Sequence, residues 1–324
     1  MAELALVTGG AGFIGSHLVE ALTAAGQRVR VLDDLSTGLL SNLAHIDPAP
    51  EVVHGSITDV ATVERAMQGV GVVYHLAALA SVARSIEMPL VSHAACATGT
   101  LVVVDAARRA GVRRVVYAGS SSAYGGFSSD AGQTEDLPLR AMSPYAAAKL
   151  AGEFYLQAFS AAFGIETVRL RFFNIFGPRQ RADSPYSGVI AIFTAKMVAG
   201  QAPLIHGDGL QSRDFTYVAN AVDCLMRAAT VPGISGKVYN VGTGQSITVR
   251  QLVESLNRLL GTNVPVQYGP ARPGDVRYSR ADISRTRADL GYSPSVDFAT
   301  GLERTLQWYL QTRPVPVAVP ALAG

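Results

Sequence analysis

The sequence is short of several things at once. Its 324 residues include two cysteines, Cys96 and Cys224, and one tryptophan. Two thiols so far apart argue against a disulfide framework and against a zinc site. Charged residues make up 16% and the net charge is +2, which leaves no basic field for nucleic acid and no acidic tail. No apolar run reaches the roughly 20 residues of a membrane span. The start, Met1-Ala2-Glu3, lacks the basic region and cleavage site of a secretory leader. Repeats of 20–50 residues and low-complexity linkers are also missing. These absences predict a cytoplasmic globular chain with reduced thiols, no metal, no membrane and no nucleic-acid partner. With 48% hydrophobic residues, the chain has core for one large or two modest domains.

What is present alternates. Apolar runs at 4–8, 28–33, 51–54, 72–76, 113–119 and 167–173 read as buried parallel strands. Helical stretches separate them, including 90–110 after Pro89 and the segment opened by Pro144. Alternation of this kind predicts an α/β fold, a Rossmann-like doubly wound parallel sheet of about seven strands. Beyond residue 180 the pattern loosens into a smaller α/β lobe, with a helix near 217–229 and a strand at 237–241 returning to the sheet. The expected division is 1–180 plus about 214–241 for the cofactor domain. About 181–213 plus 242–312 would form the substrate lobe, and 313–324 a Pro-rich flexible tail.

Gly9-Gly10-Ala11-Gly12-Phe13-Ile14-Gly15 follows the first strand and opens a helix. Glycines at this spacing permit a tight turn and close approach of a pyrophosphate, and the helix N-terminus offers free N–H groups to the anion. Asp33 ends the second strand about 20 residues on, where an acid binds the ribose hydroxyls. Its charge would repel a 2′-phosphate, which favours NAD over NADP. Ser56 and Ile57, after the third strand, are placed to touch adenine. Leu76, Ala77 and Ala78, after the fourth, are small enough for the chain to approach a cofactor. His75 reads as a structural histidine at a buried strand end. Ser120, Ser121 and Ser122 end the fifth strand, where hydroxyls face the ligand crevice; taken alone they also fit a polar turn.

Ser143-Pro144-Tyr145-Ala146-Ala147-Ala148-Lys149 puts a phenol and an ammonium on one helix face. A free phenol has a pKa near 10, and lowering it by about 3 units takes roughly 4 kcal/mol. Lys149 together with an oxidised nicotinamide could supply that. Alone, the pair equally fits a packed tyrosine beside a solvated lysine.

Together these motifs, with Arg171-Phe172-Phe173-Asn174 and Arg213-Asp214-Phe215, resemble the extended short-chain dehydrogenase/reductases. Within them the chain looks most like the nucleotide-sugar 4-epimerases of the UDP-galactose/UDP-N-acetylgalactosamine type, from residue 4 to about 311. The resemblance implies that Tyr145 takes the proton of the sugar 4-hydroxyl while NAD takes the C4 hydride. Lys149 would depress the tyrosine pKa and hold the nicotinamide ribose, and Ser120 would relay the proton. Substrate contacts would come from Ser81, Ser120, Ser121, Ser122, Asn174, Gly188, Val189, Arg213, Arg272 and Asp275. Ser279 matches a gate beside the sugar, where a small residue admits 2-acetamido sugars. Arg181 points instead to UDP-glucuronate 4-epimerases. The resemblance also implies a homodimer through the helices near 90–110 and 144–163. Three positions depart from the pattern: Ser56 for an Asp, Cys96 for an Asn and Gly126 for an Asp. A sugar 4,6-dehydratase would need an acid pair where Ser121 and Ser122 stand. A non-catalytic NAD sensor would have no need of the retained Ser120, Tyr145 and Lys149.

Overall fold

The computed structural model describes residues 3–126, 131–182, 187–271 and 276–312. Seven parallel strands form the central sheet: β1 (Leu4–Thr8), β2 (Arg28–Asp33), β3 (Glu51–His54), β4 (Val70–His75), β5 (Arg114–Ser120), β6 (Glu166–Phe172) and β7 (Val238–Val241). Their order is β7-β6-β5-β4-β1-β2-β3. The chain order reverses between β1 and β4, and ligands of such sheets bind in the crevice outside the strand ends there.

Both faces are covered, which is why β1 is apolar without alternation and buried throughout. Ala5 and Val7 point into one core, with Leu18 and Leu22 of helix α1 (Phe13–Ala24). Leu4 and Leu6 point into the other, with Val63 of helix α2 (Val60–Ala66). After the short helix α3 (Val82–Glu87) comes α4 (Pro89–Arg109), which interrupts its α geometry with a π turn at Ala94–Thr98. By length and composition α4 is apolar enough to cross a membrane. Half of its most apolar window is buried in the protein, and Val103 and Val104 pack beneath the sheet.

Helix α5 (Pro144–Phe163) starts where the sequence places it. The Ser143 hydroxyl accepts from the Ala146 N–H at 3.1 Å, Pro144 fills the first turn, and Gly164 ends it at φ +72°. It lies close to β5, because a methyl on Gly152 would come within 2.5 Å of the Tyr117 hydroxyl.

The rest of the chain adds helices α6 (Val189–Val198), α7 (Val218–Thr230), α8 (Val249–Leu260), α9 (Ser284–Leu290) and α10 (Phe298–Thr312). Helix α7 covers the sheet. Away from the sheet, Ser212–Arg213 lies between Ile247–Thr248 and Tyr278–Ser279 in a small three-stranded sheet, and Leu204–His206 pairs with Gln267–Gly269. The expected tail, 313–324, lies outside the described residues.

Candidate active site

The glycine turn between β1 and α1 is shaped by what it excludes. Gly9 has φ +72°, and a Cβ there would lie 2.8 Å from the Ala77 nitrogen. A Cβ on Gly15 would lie 2.0 Å from the Gly9 carbonyl oxygen. Gly12 caps α1 without a side-chain hydrogen bond, so the first-turn N–H groups keep their capacity for an anion. Phe13 and Ile14 are half-buried in that first turn. A dinucleotide pyrophosphate fits this elbow.

Asp33 is buried at the end of β2. Its carboxylate accepts from the Ala11 and Leu35 N–H groups, each at 2.9 Å. Burial pushes its pKa up, opposed by those two bonds. The aspartate therefore first braces the glycine turn, and its remaining lone pairs are what a ribose would use. The Ser56 hydroxyl is engaged with Thr58 at 2.8 Å, and Ile57 is buried. Ala77 donates to the Thr8 hydroxyl at 3.2 Å, which fixes the Leu76-Ala77-Ala78 segment against the turn. His75 is fully enclosed between Thr8 (2.7 Å) and Thr100 (3.0 Å). Thr100 already donates to the Cys96 carbonyl, so His75 Nε2 donates and Nδ1 accepts. Burial depresses its pKa to about 3, and this neutral ring is structural.

At the end of β5 the Ser120 hydroxyl accepts from the Ser122 N–H at 3.2 Å and the Ser122 hydroxyl at 2.9 Å. Burial, and then Cys96, push the pKa of the Tyr145 phenol up, against a smaller opposing influence of the nearby Ser120 hydroxyl. Lys149 Nζ donates to the Ala118 carbonyl at 2.9 Å and lies 4.8 Å from the Tyr117 ring centroid. Burial lowers its pKa. The ammonium is thus turned onto the β5 backbone. Ser120, Tyr145 and Lys149 nonetheless converge on one strand end.

On the far side, Arg213 and Ser279 are direct partners across the small sheet. The Asn174 carbonyl accepts from the Thr216 N–H at 3.1 Å, which ties the loop after β6 to the same region. Gly188 caps α6 ahead of Val189, again without a side-chain bond. The Ser81 hydroxyl caps α3 by accepting from the Arg84 N–H. Ser121 and Ser122 are half-buried in the turn after β5, and Arg181 is exposed. Arg272 and Asp275 lie outside the described residues.

Sequence reasoning gave no role to three buried carboxylates, Glu135, Glu153 and Asp214. Glu153 pairs with Arg171, both nearly inaccessible; the signal was an arginine on a buried strand. Asp214 accepts from Thr243 N–H (2.8 Å), Thr243 Oγ1 (2.7 Å), Gly244 N–H (3.0 Å), Ala281 N–H (3.1 Å) and Thr216 Oγ1 (3.2 Å). Those donors hold a carboxylate whose pKa burial pushes up, and they lock the backbone beside Arg213 and Ser279.

Known proteins resemble the chain over most of its length. The NAD dependent epimerase/dehydratase family matches residues 5–242. A UDP-glucose 4-epimerase of Mycolicibacterium smegmatis is 38% identical over 307 residues, 94% of this chain and 97% of that protein. The crystal structure of UDP-glucose 4-epimerase from Thermotoga maritima, with UDP-glucose, superposes with a TM-score of 0.91 at 36% identity, covering 95% of this chain and 99% of the other. UDP-N-acetylglucosamine 4-epimerase from Methanobrevibacter ruminantium, in complex with UDP-N-acetylmuramic acid, gives 0.91 at 35% identity, covering 97% and 100%. The cofactor is NAD, which suits the glycine elbow. The chain belongs to the NAD-dependent epimerase/dehydratase family, as an extended short-chain dehydrogenase/reductase of the nucleotide-sugar 4-epimerase type.

Proposed function

We propose that the chain interconverts the C4 epimers of neutral UDP-hexoses, UDP-GlcNAc and UDP-GalNAc alongside UDP-Glc and UDP-Gal. The observation that carries this reading is the seating of the Tyr145–Lys149 helix on the carboxyl end of β5, with the Lys149 ammonium 2.9 Å from the Ala118 carbonyl two residues before Ser120, in the crevice that the glycine elbow also faces. NAD, held by the glycine elbow and Asp33, would supply a reversible hydride acceptor for C4. Tyr145 then takes the 4-hydroxyl proton, Ser120 relays it, and Lys149 supplies positive charge. Asn174, Arg213, Arg272 and Asp275 would hold the nucleotide diphosphate, with the arginines giving charge-assisted bonds. Serine at 279 leaves space for an acetamido group. The exposed Arg181 supports UDP-glucuronate as the alternative. Ser121 and Ser122, in place of an acid pair, speak against dehydration. The test incubates the protein separately with UDP-GlcNAc, UDP-Glc and UDP-GlcA and reads C4 configuration by NMR. Conversion of UDP-GlcA alone would overturn the neutral-sugar reading.

A homodimer and a cytoplasmic setting belong to the same proposal. Ile86, Leu90 and Phe154 are 65%, 83% and 56% exposed on helices α3, α4 and α5. Exposed apolar groups gathered like this mark contact surfaces. Size-exclusion chromatography with light scattering at micromolar concentration should give a dimer, and Leu90→Glu a monomer. A wild-type monomer would refute the dimer. Cys96 and Cys224 are free and buried, which suits a reducing compartment.

A further inference from the structure

We infer that Arg171 is a positioning residue for epimerisation: its one guanidinium holds the helix carrying Tyr145 and Lys149 in fixed relation to the turn carrying Ser120. The inference rests on the catalytic reading of those three side chains. Register places Arg171 between Gly119 of β5 and Asn240 of β7. Its Nε and Nη2 donate to both oxygens of Glu153 at 2.8–3.1 Å. Glu153 stands one turn beyond Lys149 on α5. Arg171 Nη1 donates to the Tyr124 hydroxyl at 3.1 Å and to the Glu135 carbonyl at 3.4 Å. Tyr124 ends the short turn Ser121–Tyr124 that follows Ser120, and its ring lies 4.9 Å from the guanidinium carbon. The Tyr124 hydroxyl donates onward to Asn240 Oδ1 at 2.6 Å. All four side chains are buried.

The carboxylate also touches the strand end directly. A Cβ on Gly119, the residue before Ser120, would lie 2.9 Å from Glu153 Oε1. Thus the fork contacts both elements that bear reacting groups. Stability alone does not account for such a pair, since well-packed apolar residues often serve a fold equally well. A rigid planar fork adds direction, which a point charge does not.

The test compares Tyr124→Phe and Arg171→Lys with the wild-type holoenzyme, with UDP-Glc and UDP-GlcNAc as probes. Tyr124→Phe keeps the ring and the buried ion pair, so it stays readable should Arg171→Lys fail to fold. The expected result is a fall in kcat of about tenfold per NAD-loaded molecule, with KM and NAD content unchanged, because small misplacements of reacting groups act on the chemical step. An unchanged kcat with a lowered thermal midpoint would show the network to be merely structural and overturn the inference. Tyr145→Phe run alongside separates the two claims. Full activity there sinks the proton-transfer reading, whereas a silent Tyr124→Phe beside a dead Tyr145→Phe sinks the positioning role alone.

Discussion

The ammonium of Lys149 rests 2.9 Å from the carbonyl oxygen of Ala118, and among the described residues it has no hydrogen bond to Tyr145. Burial raises the phenol's pKa and lowers that of the ammonium. The protein's own groups therefore favour the protonated phenol, and on the proposed mechanism bound NAD would help make it a base. On the proposed mechanism the ammonium would act on the phenol once NAD is bound, so Lys149→Met should lose activity at pH 7 and regain it as pH rises. Each unit of upward shift costs about tenfold at a pH below the pKa. Profiles of kcat against pH for wild type and variant check this. Parallel profiles would exclude the electrostatic role.

Two histidines make the fold acid-sensitive. Burial holds His17 at about 4 and His75 at about 3, against about 6.5 for an unfolded chain. Depressed folded values mean that the unfolded state binds more protons between those limits. The contribution is complete above pH 6.5 and is lost as pH falls toward 4 and 3. From pH 7.5 to pH 5 the loss is about 3–4 kcal/mol, at 1.4 kcal/mol per unit per histidine. Urea unfolding at the two pH values measures it, and His75→Gln should flatten the dependence. Equal stability at both pH values would contradict the assignment.

Gly15→Ala should abolish NAD retention. The added methyl would meet the Gly9 carbonyl oxygen at 2.0 Å and the Gly10 Cα at 2.8 Å. Both atoms are backbone, so the turn must open, and with it the surface that receives the pyrophosphate. NAD released on denaturing the purified variant, measured by absorbance after chromatography, should fall to near zero. Wild-type NAD content would mean that the cofactor binds elsewhere.

The glycine elbow and the strand sequence were legible because their causes are local: spacing of glycines, apolar runs, one proline at a helix start. The π turn at Ala94–Thr98 was read as ordinary helix, since no residue there breaks helical periodicity. The resting partner of Lys149 was hidden because it is a carbonyl, which every residue has. The hub at Asp214 depends on donors as distant as Ala281, 67 positions away, a separation that local patterns do not register. Arg171 was noticed as part of a motif, but its three-way contact appears only once β5, β6 and β7 are side by side.

Ser279 offers the sharpest test of sugar choice. It is 7% exposed, and its carbonyl accepts from the Asp214 N–H at 2.7 Å. Asp214 is itself pinned by donors from three segments, so the backbone at Ser279 cannot retreat from a larger side chain. In Ser279→Tyr the ring must enter whatever space lies before it. If that space receives the sugar's 2-substituent, kcat/KM for UDP-GlcNAc should fall about 100-fold, within the range that pocket shape alone achieves. UDP-Glc, which presents only a hydroxyl there, should keep most of its activity. Equal losses on both substrates would place Ser279 away from the 2-substituent, and a loss confined to UDP-Glc would reverse the proposed gate.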